Sequence, residues 1–276
     1  MLIKLFKYEW KFFWKVPATI NLALVIITLL GITSLISPLW TLDYDIIGAL
    51  MATSLLFYYL SIFAGSIAVS AYIAIRFYKN VYTDEGYLTN TLPVTPRQII
   101  LSKLFVGVLW TAITGLVIMF SVLILVAVGL YSYGDNSIIE IIRELMLAWN
   151  DMAEIFREIG FRPFSFTFLC VIYSIISTFF SILMLYSAIS LGQMFSRHKV
   201  AGAIIWYFVE YMVVQFGSSI LMTIIGFSVV NRLDYYDSIS SIFDPIMIGS
   251  IFLYLLGGFG LYCITEYMLK KKLNLD

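Results

Sequence analysis

Apolar residues along this chain gather into six long blocks, at about 18–38, 46–77, 102–130, 164–192, 200–230 and 247–269, and the stretches between them hold nearly all the charge. A helix needs about 20 apolar residues to cross a hydrocarbon core of about 30 Å, so each block is long enough to span a bilayer. Gly, Ser and Thr interrupt several blocks without ending them, because a helix in lipid keeps its backbone groups bonded internally or to neighbours. The pattern predicts an all-α integral membrane protein with six transmembrane helices.

Composition excludes a soluble reading. Of 276 residues, 61% are hydrophobic and 12% charged, and the mean hydropathy of +0.95 lies outside the range of soluble domains. The first block begins near Ala18 after a basic stretch and lacks a small-residue cleavage pattern, so no cleaved signal peptide is expected. The net charge is zero, which leaves the distribution of charge as the informative quantity. Lys4, Lys7, Lys11, Lys15, Arg76, Lys79, Arg97, Lys103, Arg197, Lys199, Lys270, Lys271 and Lys272 fall on one side of the six-span alternation. Only Arg143, Arg157, Arg162 and Arg232 fall on the other, where most of the acids also lie. The excess of Lys and Arg marks the cytoplasmic side, so both termini are expected in the cytoplasm.

Three segments outside the blocks carry their own pattern. At residues 1–17, Lys4, Lys7, Lys11 and Lys15 recur at helical spacing while Leu5, Phe6, Trp10, Phe13 and Trp14 fill the rest of the surface. This predicts an amphipathic helix in the inner interface, with lysines toward lipid phosphates, ahead of a six-span domain over 18–276. The cytoplasmic connection at 78–101 holds an acidic turn, Asp84, Glu85 and Gly86, and then a helix start with Thr95 as N-cap and Pro96 at the first helical position. Between the third and fourth blocks, over 136–160, Ile138, Ile142, Leu145, Trp149, Met152, Phe156 and Ile159 alternate at spacings of four and three. That is an a/d stripe, and it predicts an extracellular amphipathic helix whose stripe is covered by the protein's own loops, the outer leaflet, a partner or substrate.

Catalytic chemistry finds little support. There is no Gly-Lys dipeptide and hence no Walker A phosphate loop. The single histidine, His198, sits between Arg197 and Lys199 in a short loop, so neither a His-based metal site nor a Ser/His protease is indicated. Cys170 and Cys263 lie within apolar blocks, where a thiol acts as a small hydrophobe. Glu210 is the one acid well inside a span, with Trp206, Tyr207, Tyr211 and Gln215 on the same stretch. A carboxyl at that depth costs several kcal/mol unless paired, wetted or protonated. Two readings stay open: Glu210 is neutral and bonded to a Tyr or Ser hydroxyl of a neighbouring helix, or Glu210 and Gln215 line a translocation path. Ser174, Ser177, Thr178 and Ser181, with Gly249, Gly257, Gly258 and Gly260, are small residues at helical spacing and predict packing faces.

The run Asp84-Glu85-Gly86-Tyr87-Leu88, followed by Thr91-Leu92-Pro93-Val94-Thr95-Pro96-Arg97 and by Lys103 at the start of the third span, resembles the coupling region of membrane subunits of type-two ABC exporters. The basic N-terminal helix and six-span layout are similar as well, although the 136–160 helix is larger than the short loop of many members. The resemblance implies a permease subunit without catalytic residues or cofactors of its own, paired with a second permease subunit, the same or related, in a bacterial plasma membrane. Separate ABC ATPase subunits would bind ATP and Mg and engage Asp84, Glu85, Gly86, Tyr87, Leu88, Pro93, Thr95 and Arg97. Membrane lipid is the other expected partner, and no nucleic acid is expected. The alternative is a secondary transporter or channel using Glu210, which would be built of three-plus-three inverted halves. Against it stand a single deep acid and no evident internal repeat. An integral membrane enzyme lacks the clustered side chains it would need, and a non-transporting regulator could use the 136–160 stripe.

Overall fold

The computed structural model describes residues 2–36, 45–83, 85–86, 94–133, 138–158, 163–195, 197–230 and 240–271. These residues form eight helices: α1 (Leu2–Phe13), α2 (Lys15–Ile36), α3 (Asp45–Tyr82), α4 (Pro96–Tyr133), α5 (Ile138–Glu158), α6 (Pro163–Gly192), α7 (Lys199–Val230) and α8 (Ser240–Lys271). All except α1 and α5 contain a stretch long and apolar enough to cross a membrane. The six stretches are Lys15–Leu35, Thr53–Tyr82, Pro96–Gly129, Phe166–Gly192, Lys199–Ser228 and Phe243–Lys271, which matches the six apolar blocks. No more than 22% of the most apolar window of any span is buried within the chain, so the remaining apolar surface needs lipid or other protein to cover it.

Two boundaries differ from the sequence pattern. The amphipathic segment breaks at Trp14 rather than at residue 17, and Trp14 N–H to Trp10 O (3.2 Å) with Ala18 N–H to Trp14 O (3.0 Å) carries helical bonding across the break. The connection at 78–101 is shorter than the pattern implies: α3 runs on through Tyr82, and α4 begins at Pro96. Each of these helices has 38 residues, a length of about 57 Å at 1.5 Å per residue, which exceeds the hydrocarbon core. The pattern ended α3 early because Tyr78, Lys79 and Asn80 are polar but good enough helix formers to continue a helix already nucleated, whereas the start of α4 at Pro96 is the one its cap predicts.

The helices pack into two units. One gathers residues 7–73 and 109–149. Its core holds Leu35, Tyr58 and Leu125, and the Tyr58 hydroxyl lies 2.5 Å from Ser121 Oγ. Within it, Trp10 stacks on Trp110 with ring centres 5.2 Å apart, and buried Phe13 meets Tyr72 at 4.9 Å. Trp10 and Phe13 of the basic segment therefore pack on protein, while Phe12 and Trp14 are exposed along with Lys7, Lys11 and Lys15.

The other unit gathers residues 1–6, 74–108 and 150–276. Here α6 packs against α7 and α8, which also touch each other. Glycines permit the close approach: a Cβ on Gly257 would lie 3.0 Å from the Phe180 ring, and one on Gly249 would lie 2.9 Å from Ile225 Cδ1. Gly258 sits beside Leu183 and Phe180, whereas nothing lies within 4 Å of a Cβ on Gly260. The serine and threonine stripe of α6 makes no hydrogen bond to a neighbouring helix among the described residues. Ser174, Ser177, Thr178 and Ser181 return their hydroxyls to carbonyls of their own helix, and the fully buried face of α6 lies further on, at Tyr186, Ser187 and Ser190.

Candidate functional site

Three polar assemblies among the described residues of the second unit bear on the candidate residues, and the first braces the connection between α3 and α4. Thr83 Oγ1 donates to the Lys79 carbonyl (2.6 Å), and the Gly86 N–H donates to the Thr83 carbonyl (2.6 Å), folding the chain back just past α3. Gly86 is buried, and a Cβ there would collide with the Val81 carbonyl, so the acidic turn requires glycine on steric grounds. Asn80, oriented to satisfy both neighbours, donates to Glu85 Oε2 (2.6 Å) and accepts from Lys103 Nζ (3.0 Å). Asn80 and Lys103 are buried while Glu85 is exposed. The amide thus ties the exposed Glu85 carboxylate to a buried ammonium on α4, and charge-assisted bonds of this kind are the strong ones.

At the other end of the connection, Thr95 stands at the N-cap as its sequence position predicts. Its carbonyl accepts from the N–H groups of Gln98 (2.9 Å) and Ile99 (3.3 Å), and the Gln98 side chain accepts from the Thr95 N–H (3.3 Å). Gln98 thus supplies the N3 half of a capping box, a feature legible in Thr95-Pro96-Arg97-Gln98. Arg97 Nε donates to Glu266 Oε1 at 2.7 Å, and Lys270 Nζ binds the same oxygen. Arg97 thereby pins the first turn of α4 to the last turns of α8. Asp84, Tyr87, Leu88 and Pro93 lie outside the described residues.

The second assembly lies on α6, where Tyr186 and Ser190 face α3. The Tyr82 hydroxyl donates to Ser190 Oγ (2.9 Å), and the Phe77 and Tyr186 rings stack at 3.9 Å and 10°. Sequence reasoning passed over these residues. A serine at i+3 from another serine is a weak signal, and it acquires meaning only when the helix face is known.

The third assembly holds Glu210. Its Oε1 accepts from Ser187 Oγ at 2.7 Å, and its Oε2 is buried with no hydrogen-bond partner among the described residues. Gln215 points elsewhere: it is exposed and donates to the Tyr211 hydroxyl (3.2 Å) on its own helix. Glu210 and Gln215, five residues apart, stand at about 140° to each other around a helix, so the structure does not bring them together. Replacing Ser187 with alanine removes the hydroxyl that Glu210 accepts from. It should cost about 1 kcal/mol, in the range of interhelical hydrogen bonds in membranes. Glu210→Gln keeps an acceptor at Oε1 and should cost less. Thermal unfolding of the two variants in detergent checks the order, and a larger loss for the glutamine variant would contradict it.

No protein-family model, curated protein or solved structure matches the chain. What the fold itself defines is a multi-pass, all-α membrane protein with six candidate transmembrane helices.

Proposed function

We propose that this chain is the permease subunit of an ATP-driven exporter of the type-two ABC class. In this reading its termini are cytoplasmic, and it pairs with a second permease subunit, the same or related. A separate ATPase subunit holding ATP and Mg docks on the connection between α3 and α4. The cargo is a peptide, drug or lipid-like molecule carried across a bacterial plasma membrane. The observation that carries the reading is the bracing of that connection. Its entry is tied through Asn80 to Lys103, and its exit is capped by Gln98 and pinned through Arg97 to Glu266. A segment held at both ends to membrane helices passes an applied force into those helices instead of deforming by itself.

The test is recovery of tagged chain in mild detergent, asking whether a protein with a Walker A motif accompanies it. Proline or a charge placed between Tyr87 and Thr91 is expected to uncouple ATP hydrolysis by the partner from transport, and changes across residues 84–97 to lower partner recovery several-fold. Recovery of the chain alone from several detergents would sink the reading. A secondary transporter or channel is the second reading, favoured by the unpartnered buried oxygen of Glu210. It gains if no ATPase is recovered and Glu210→Gln abolishes flux.

A further inference from the structure

Helix α5 lies between two spans yet is not one itself, and the described part of its apolar side, from Met146 to Ile155, is left uncovered. On a helical wheel at about 100° per residue, Ile155, Ala148, Met152, Trp149, Ala153 and Met146 occupy an arc of about 180°. None of these is buried, and Trp149 is 61% exposed. The arc is much wider than the a/d seam of a coiled coil, because Met146 and Ala153 on one flank and Ala148 and Ile155 on the other stand where a two-stranded seam carries charges. The opposite half carries Asp151, Glu154, Arg157 and Glu158 with Leu147 among them, and a helix so divided suits a boundary between hydrocarbon and water.

The tethers fix how the helix can lie. Span Pro96–Gly129 precedes it and span Phe166–Gly192 follows it, and in a six-span alternation these two ends reach the same membrane surface. From Tyr133 to Ile138 and from Glu158 to Pro163 there are only five residue steps each, a reach of at most about 18 Å. The helix has 21 residues and is about 32 Å long. Tethered at both ends within about 18 Å of the helices it follows and precedes, it is confined near the membrane surface. Glu140, Glu144, Asp151, Glu154 and Glu158 against Arg143 and Arg157 make its polar side acidic, so attraction to anionic headgroups does not hold it and apolar burial does.

We propose that α5 is a membrane-docked helix, with lipid as the partner of its apolar arc and Trp149, Met152 and Met146 at the acyl boundary. This does not depend on the exporter reading.

Site-directed nitroxide labelling of the full chain in phosphatidylcholine nanodiscs tests it. In a background with Cys170→Ser and Cys263→Ser, single labels are introduced by Met146→Cys, Trp149→Cys, Met152→Cys and Ile155→Cys on the arc. Asn150→Cys, Glu154→Cys and Arg157→Cys report the polar side. Arc sites are expected to be relaxed several-fold more by oxygen than by a water-soluble nickel chelate, with the polar sites reversed and a helical period across the series. If the arc sites are shielded from both reagents, a second copy or the protein's own loops cover them and the proposal is overturned. Nickel access at the arc equal to that at the polar sites would place the helix in water and overturn it equally. Should one variant lose monodispersity, Ala148→Cys or Ala153→Cys keeps the period readable.

Discussion

Gly192→Leu is expected to lower the melting temperature in detergent more than any other single change named here. A Cβ at Gly192 would lie 2.5 Å from the backbone nitrogen of Ala203 and 2.7 Å from its Cα. The obstacle is backbone, so no rotamer change relieves it, and the start of α7 would have to move away from the end of α6. Little slack is available, since the turn between them is tied by Phe195 N–H to Gly192 O (3.2 Å) and Gly202 N–H to His198 O (2.9 Å). Overpacking of this kind costs about 3 kcal/mol or more, and for a chain of this size that corresponds to a fall of about 6–12 °C. Gly260→Ala is the control, because a Cβ there meets open space, and helix propensity should make it neutral or slightly stabilising, by up to about 1 kcal/mol. A wild-type melting curve for Gly192→Leu would mean that α6 and α7 do not cross in contact at this point.

The second large effect is expected at Asn80. Changing it to leucine removes the acceptor that faces the buried Lys103 ammonium and the donor that faces Glu85. Hydrogen bonds to charged groups contribute about 1.5–3 kcal/mol each. Glu85 is exposed and water replaces much of its bond, so a net loss of about 2–3 kcal/mol is expected, mainly from the lysine side. Adding Lys103→Met should restore part of that loss, because an apolar side chain no longer needs the acceptor. A double-mutant cycle on thermal stability measures the coupling, and strict additivity would show that Asn80 does not link the two charges. In the exporter reading, Asn80→Leu also lowers partner recovery, since the acidic turn loses its support while the sequence from Glu85 to Arg97 stays intact.

Asn80 also shows where reading the sequence stops. Glu85, Gly86, Thr95 and Arg97 stand out on the chain because turn and cap chemistry is local: a glycine after two acids and a threonine before a proline mark the backbone within four residues. The residues that brace them do not stand out. Asn80 sits in the 78–101 connection with no turn or cap pattern around it, and Lys103 enters only through the charge count and the resemblance, with nothing along the chain to show its partner. Glu266 shows only an ordinary i, i+4 spacing to Lys270. Glu210 was conspicuous because an acid amid apolar residues is rare, and a Ser hydroxyl on a neighbouring helix was one of its two open readings. That Ser187 supplies that hydroxyl, and that Gln215 turns away from Glu210, depends on how α7 is rotated against α6.

The sequence by itself determined the number of candidate spans, the existence of the two amphipathic helices and the helix start at Thr95. Each rests on the length or period of a run of side chains measured against a fixed scale, either the thickness of a bilayer or the turn of a helix. Tertiary structure alone decided which polar groups meet. Arg97 reaches Glu266 across 169 positions and Tyr82 reaches Ser190 across 108. Such pairings are set by the rotation and axial offset of helices whose apolar surfaces are nearly uniform all round, so the hydrophobic pattern that defines each span carries almost no information about the face it turns to its neighbour.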